Sequence, residues 1–314
     1  MSSPACQFRR ALAGLALLGA ALAAGAAPAS APPSPADSGV LRKIRDTGLI
    51  VLGHRVTSVP FSYLDARLRP VGYSMDLCQR VVDTVRQRLG LPDLEVKLVT
   101  VSSATRMPLV ANGTVDLECG VTTNTAERQK TQAFSVTTFV AASRLLAKKE
   151  NEIRTLDDLR GKPVASTIAT TSFRYLNSVN ESRRLDMKIL AGQDDTDAFQ
   201  MVQTDRALAF AMDDVLLKSL QANAANPGDY SISDEALTVE PYGIGLPRDD
   251  PGFKHLVDGV LAELYRSGEI HAIYRKWFQS PIPPKGINLQ LPMSEPLKRA
   301  IANPTDSPDP QVYR

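Results

Sequence analysis

Ser103 and Arg106 stand three residues apart and Thr123 and Arg128 five apart, on either side of a short apolar stretch that ends at Cys119. Arginine offers a planar fork of N–H donors that pairs a carboxylate through two bonds, and a nearby hydroxyl adds a directional donor. A helix N-terminus contributes backbone N–H groups of the same polarity. Two such clusters describe a pocket for a small anionic solute. No nucleophile with its base stands beside them.

Other residues are candidates by position. His54-Arg55 directly follows an apolar run, at the carboxyl end of a predicted strand, where open α/β sheets bind ligands. Asp213-Asp214 ends another such run, and Thr170, Thr171 and Ser172 open a predicted helix after a third. One carboxylate of the Asp213-Asp214 pair suits an ammonium group, so the whole set suits both ends of a zwitterion, which means an amino acid. Each position also has a plainer reading. Arg55 and Arg128 can be surface arginines, and Ser103, Thr170 and Asp213 can be helix caps. Catalytic motifs are missing: there is no GxSxG, HExxH, GxxxxGK[ST] or GxGxxG, and His54, His255 and His271 pair with no cysteine or serine in a recognisable pattern. No cofactor and no metal are expected.

The elements that must position these residues alternate. Leu49–Leu52 reads as a buried strand, Met75–Leu89 as a helix capped by Gly90, Leu94–Val101 as a strand, Ala104–Ala111 as a helix and Thr114–Cys119 as a strand, a βαβαβ unit. Asn124-Thr-Ala-Glu127 has capping-box form and predicts a helix start. After the apolar strand Phe139–Ala147, a second unit runs through Pro163–Thr167 (strand), Ser172–Val179 (helix), Met187–Leu190 (strand), Asp195–Thr204 (helix) and Ala207–Met212 (strand). Leu237–Leu246 predicts one further strand, followed by helices over Lys254–Ser267 and Ile270–Phe278. The proline-rich C-terminal piece reads as an extended wrap, loose from Asn303 onward.

Length and composition agree with an α/β protein of two domains: 314 residues, 43% hydrophobic and 22% charged. Arg9 and Arg10, the uncharged Ala/Leu/Gly run that follows and Ala24-Gly25-Ala26 read as a cleaved secretory signal over 1–26, and the Pro/Ala/Ser-rich 27–37 as a flexible leader. Cys6 precedes the apolar run and so cannot be a lipid attachment site after it. The apolar run is shorter than the roughly 20 residues of a membrane span, so a soluble mature protein is expected. Removing Arg9 and Arg10 leaves 34 basic against 34 acidic residues, a balance that gives no electrostatic hold on nucleic acid or anionic membranes. The two cysteines left after cleavage, Cys78 and Cys119, form either a disulfide, which an oxidising compartment permits, or a pair of buried thiols.

Several of these segments resemble the periplasmic glutamate/aspartate-binding proteins of ABC importers, amino-acid-binding members of the type II, family 3 solute-binding proteins. They are Gly53-His-Arg-Val-Thr-Ser-Val-Pro-Phe-Ser-Tyr63, Ser103-Ala-Thr-Arg106, Asn112-Gly-Thr-Val-Asp-Leu-Glu-Cys-Gly120, Thr122-Thr-Asn124, Glu127-Arg-Gln-Lys130, Met212-Asp-Asp214, Trp277-Phe278 and Pro281-Ile-Pro-Pro284. The resemblance implies two α/β lobes, each a mainly parallel sheet flanked by helices, joined by two hinge strands that let the lobes close over one amino acid. Lobe 1 is expected over 38–140 and 241–290, lobe 2 over 141–240 and a C-terminal extension over 291–314, with hinge crossings near Phe139–Ala142 and Val239–Gly243. By motif, Arg128 and Thr123 would take the α-carboxylate, Asp213 the α-ammonium, and Arg55, Ser103 and Arg106 the side-chain carboxylate, with Thr171 adding a contact from lobe 2. The implied protein is a periplasmic monomer that delivers its amino acid to an inner-membrane permease and does no chemistry.

Three positions depart from that pattern. Val121 stands in place of a serine, Ala169 in place of a glycine, and Asp195 in place of a histidine that helps bind the side-chain carboxylate. These departures leave glutamate, aspartate and their amides open as ligands. Two other classes stay open as well: an exported enzyme resembling cyclohexadienyl (arogenate/prephenate) dehydratase, which product formation would reveal, and a receptor whose closed state docks on a membrane sensor, which its partner would reveal.

Overall fold

Short apolar runs flanked by turn residues bury best when helices cover both faces of the sheet they form, and the alternation of the sequence delivers that arrangement. A computed structural model describes residues 39–314. The expected signal segment, leader and Cys6 lie outside the described residues. Helix α1 (Gly39–Thr47) leads into β1 (Leu49–His54), and a small antiparallel sheet follows, made of β2 (Thr57–Ser58), β3 (Ser62–Leu64) and β4 (Pro70–Val71). Then come α2 (Tyr73–Leu89), β5 (Glu95–Thr100), α3 (Arg106–Ala111), β6 (Leu117–Glu118) and β7 (Ala133–Phe134).

The chain next enters a second sheet through the long β8 (Phe139–Lys148). It continues through β9 (Pro163–Thr167), α4 (Thr171–Arg183), β10 (Lys188–Gly192), α5 (Asp195–Gln203), β11 (Ala209–Asp213), α6 (Asp214–Asn223), β12 (Tyr230–Ile232) and β13 (Thr238–Tyr242). It returns to the first sheet as β14 (Gly245–Leu246) and finishes in α7 (Pro251–Arg266), α8 (Glu269–Phe278) and α9 (Glu295–Ala302). The first sheet has the order β5-β1-β6-β14-β7, parallel up to β6 and antiparallel beyond. The second has the order β10-β9-β11-β8-β12, with β13 also on β8. It is parallel among β10, β9 and β11, and every pairing of β8 is antiparallel.

Both sheets are thus mixed. The strand predicted over Leu237–Leu246 is interrupted at Gly243-Ile244, and its two halves serve different sheets. At that break a Cβ on Gly243 would come 3.1 Å from the Ser135 carbonyl oxygen, a tighter approach than most side chains make, so a glycine suits the close backbone passage.

β8 and β13 run side by side where the chain crosses between the sheets, with Phe139 opposite Tyr242 and Ala142 opposite Val239. Their ends are fixed on the first sheet's side by aromatic packing. Phe139 lies 4.9 Å from Phe61 and 5.2 Å from Phe278 between ring centroids, and Tyr242 lies 5.5 Å from Phe61. In α2 the buried Leu77, Cys78, Val81, Val82 and Val85 recur at helical spacing and pack on the sheet, and Gly90 ends the helix in a left-handed conformation at φ 63°. Cys78 of α2 is bonded to Cys119 just after β6.

Two expectations fail. The capping box at Asn124 starts no α-helix, only a 3-10 turn over Arg128–Lys130. The Asn124 side-chain amide donates to the Asp306 carbonyl at 2.8 Å, and the Thr125 hydroxyl accepts from the Arg128 N–H instead. Nor is the chain loose from Asn303 onward. Tyr313 is buried against Val140, Val239 and Ala300, and its hydroxyl bonds Thr137 and the Ser307 carbonyl. Among the described residues no helix is long and apolar enough to cross a membrane.

Candidate functional site

The carboxyl ends of parallel strands and the N-termini of the helices after them converge between the two sheets, as expected for ligand crevices of α/β folds. From the first sheet, Arg55 follows β1, Ser103 and Arg106 follow β5, and Val121 and Thr123 follow β6. From the second, Thr170 and Thr171 open α4 after β9, Asp195 opens α5, and Met212 and Asp213 end β11. These residues line one small space of about 10 Å³. That is room for about one water molecule, far below the roughly 300–1,000 Å³ of pockets for drug-sized molecules, so a solute enters only when the two walls part.

Of the residues that the resemblance assigns to the ligand, Arg128 alone does not line this space. It stands beside it, 3% exposed. Its Nη1 donates to the Thr123 carbonyl at 2.9 Å and its Nη2 reaches across to the Ala169 carbonyl at 3.3 Å, while Nε has no partner. Ala169 adopts φ 61°, a left-handed conformation that costs a residue with a Cβ about 1 kcal/mol or more and turns that carbonyl toward Arg128.

Arg106 is 2% exposed and its Nε and Nη1 have no hydrogen-bond partner. Buried guanidinium donors without acceptors are costly, and an incoming acceptor recovers that cost. Burial, with Arg128 adding to it, pushes the Arg106 guanidinium down to about 9, which still leaves it charged at neutral pH. The predicted cap role of Ser103 is not seen, because the turn before α3 is closed by Ser102 and Thr105. Ser103 is buried at the cavity wall.

On the opposite side Asp213 is buried, one oxygen accepting from the Tyr242 hydroxyl and Oδ1 left without a partner. Burial pushes this carboxyl well above its ordinary range, and the nearby Glu240 pushes it further. Glu240, on β13, takes the Thr171 hydroxyl at 2.7 Å and also the Thr238 hydroxyl. Thr170 is the cap of α4, accepting from the Phe173 N–H at 3.1 Å, and Ser172 bonds Ser143 at 2.9 Å. His54 is buried next to Arg55, with Nδ1 on the Arg55 carbonyl, and does not line the cavity.

Sequence reasoning missed the buried acids of this neighbourhood, Glu118 and Glu240, and the cavity-lining Met212. Glu118 shares its predicted strand with a second acid, Asp116, so nothing local set it apart. Its Oε2 accepts from the Thr122 hydroxyl at 2.6 Å and its Oε1 is unpartnered. The cleft therefore separates charge, with arginines toward the first sheet and carboxylates toward the second, and Glu118 set among the arginines.

Two α/β lobes joined by paired strands, facing each other across a small polar cleft, define the class of type II periplasmic binding proteins. Residues 50–280 match the family of bacterial extracellular solute-binding proteins, family 3, and the chain belongs to that family. It is 48% identical over 276 residues to the L-glutamate/L-aspartate-binding protein of Pseudomonas aeruginosa, covering 88% of this chain and 91% of that protein. It is 44% identical over 273 residues to the glutamate/aspartate import solute-binding protein of Escherichia coli K12, covering 87% and 90% of the two chains. A solved ancestral arginine-binding protein bound to arginine superposes with a TM-score of 0.66 at 26% identity, over 74% of this chain and 98% of that one. These relatives are named as binding proteins, not enzymes.

Proposed function

We propose that this protein is the periplasmic solute-binding component of an ABC importer and takes a polar amino acid, glutamate, aspartate or one of their amides. The observation that carries this reading is the pairing of unpartnered groups across one cavity: Arg106 Nε and Nη1 on one wall and Asp213 Oδ1 on the other. A zwitterion with a polar side chain supplies acceptors for the first and a donor for the second. Arg128 and Thr123 hold the α-carboxylate, Asp213 the α-ammonium, and Arg55, Ser103 and Arg106 the side-chain end, with Thr171 reaching in from lobe 2. For Arg128 this requires the ligand carboxylate to compete for the guanidinium now shared between Thr123 and Ala169.

The lobes in this reading are 38–140 with 241–290, and 141–240. β8 and β13 act as the hinge, closure buries the solute, and the closed monomer docks on an inner-membrane permease. A dissociation constant near 1 μM needs roughly −8 kcal/mol. Charge-assisted hydrogen bonds contribute about 1.5–3 kcal/mol each, so four or five of them suffice after ordering costs.

The test is calorimetry with all common amino acids on protein unfolded and refolded to strip any bound solute. Binding of an acidic amino acid or its amide is expected, and Arg128→Ala is expected to weaken it at least ~100-fold, the loss of one or two charge-assisted bonds. Wild-type affinity in Arg128→Ala removes the α-carboxylate assignment.

A further inference from the structure

Asp195 enters the cavity from the first turn of α5 and is 2% exposed. Its Oδ1 accepts from the Thr167 hydroxyl at 2.6 Å, and its Oδ2 takes no hydrogen bond from the described residues. Arg55 and Arg106 line the same space, and Arg55 and Asp195 are both near enough for their charges to act on Arg106. Glu118 adjoins them. A Cβ on Gly120 would stand 2.1 Å from Glu118 Oε1 and 3.2 Å from Arg55 Cγ, so the acid and the arginine stem crowd one point. Two guanidinium groups here thus already face two carboxylates.

We propose that the side chain of the bound amino acid ends in a carboxamide, so that the solute is glutamine or asparagine, with Asp195 as the residue that decides it. The proposal rests on the amino-acid reading above and narrows it. A carboxamide carries an acceptor oxygen and two N–H donors, whereas an ionised carboxylate only accepts. The amide oxygen satisfies the free donors of Arg106, and the amide NH₂ donates to Asp195 Oδ2. A ligand carboxylate meets the same arginines but sets like charge against a desolvated acid, the arrangement by which sites reject a wrong partner.

The experiment is calorimetry on stripped protein with glutamine, asparagine, glutamate and aspartate, for the wild type and for Asp195→Asn. The expected wild-type result is one amide bound at least tenfold more tightly than its matching acid. In Asp195→Asn the affinity for that acid rises at least tenfold relative to the amide. A wild type that binds the acid as tightly as the amide overturns the proposal without touching the amino-acid reading, and so does an acid-to-amide ratio unchanged by the substitution. Failure of all four solutes to bind the wild type overturns both.

Discussion

The carboxyl of Asp213 is buried with one oxygen unpartnered and with Glu240 close by, and both circumstances favour its protonated form. Below the ordinary carboxylate range near pH 4 the folded and unfolded chains both hold this proton and the residue costs nothing. As pH rises, the unfolded chain ionises first, so stability falls until the raised folded value is passed. Asp213→Asn removes that cost and keeps an acceptor for Tyr242. The solute-free variant should therefore melt about 2 °C or more above the wild type at pH 7, with the gain shrinking toward pH 4. Its amino-acid affinity should fall at least ~100-fold, because the ammonium loses its counter-charge. Melting curves at both pH values with matched calorimetry check this, and equal melting temperatures at pH 7 would refute the buried cost. At this scale Arg55, Ser103, Arg106, Thr123, Thr171 and Asp213 stand out because each follows a strand or opens a helix, whereas Val121 and Asp195 are singled out by the family resemblance alone; all eight line the cavity. Glu118 and Glu240 do not stand out. Their burial depends on how the hinge strands and the first sheet meet, which no local pattern encodes.

Among the elements, α2 and β6 are tied by the bond between Cys78 and Cys119, which closes a loop with a sequence separation of 41. Chain-entropy arguments give a loop of that length about 4 kcal/mol at most, with 2–4 kcal/mol typical. The double variant Cys78→Ala/Cys119→Ala should lose about that much in urea unfolding, and adding a reductant should then have no further effect. A loss below ~1 kcal/mol would show that α2 is held by its apolar face alone. Periodicity made α2, its Gly90 cap and the parallel strands readable, since local sterics and one buried face suffice to define them. The capping box at Asn124 misled because the side-chain NH₂ is turned to the Asp306 carbonyl, far along the chain, and the capping oxygen Oδ1 is left without a backbone N–H. The strand over Leu237–Leu246 looked continuous because an apolar run does not announce that it changes sheets.

For the molecule as a whole, the C-terminal segment is the part that sequence reasoning undervalued. Its prolines and polar residues suggest a free tail, yet Tyr313 packs on Val140 of β8 and Val239 of β13, and the Thr305 carbonyl accepts from the Thr137 N–H at 2.7 Å. The Asp306 carboxylate also pairs with Lys254 at 2.9 Å. Tyr313→Ala should cost about 3 kcal/mol in chemical denaturation, in the range of emptying a large aromatic site. A change under ~1 kcal/mol would mean that the tail merely rests there. Tyr313 also ties a surface segment to the crossing strands. A protease cut between Ala302 and Tyr313 would strip that ring from Val140 and Val239 and leave two apolar side chains of β8 and β13 bare to water, so damage at the surface reaches the strands between the lobes.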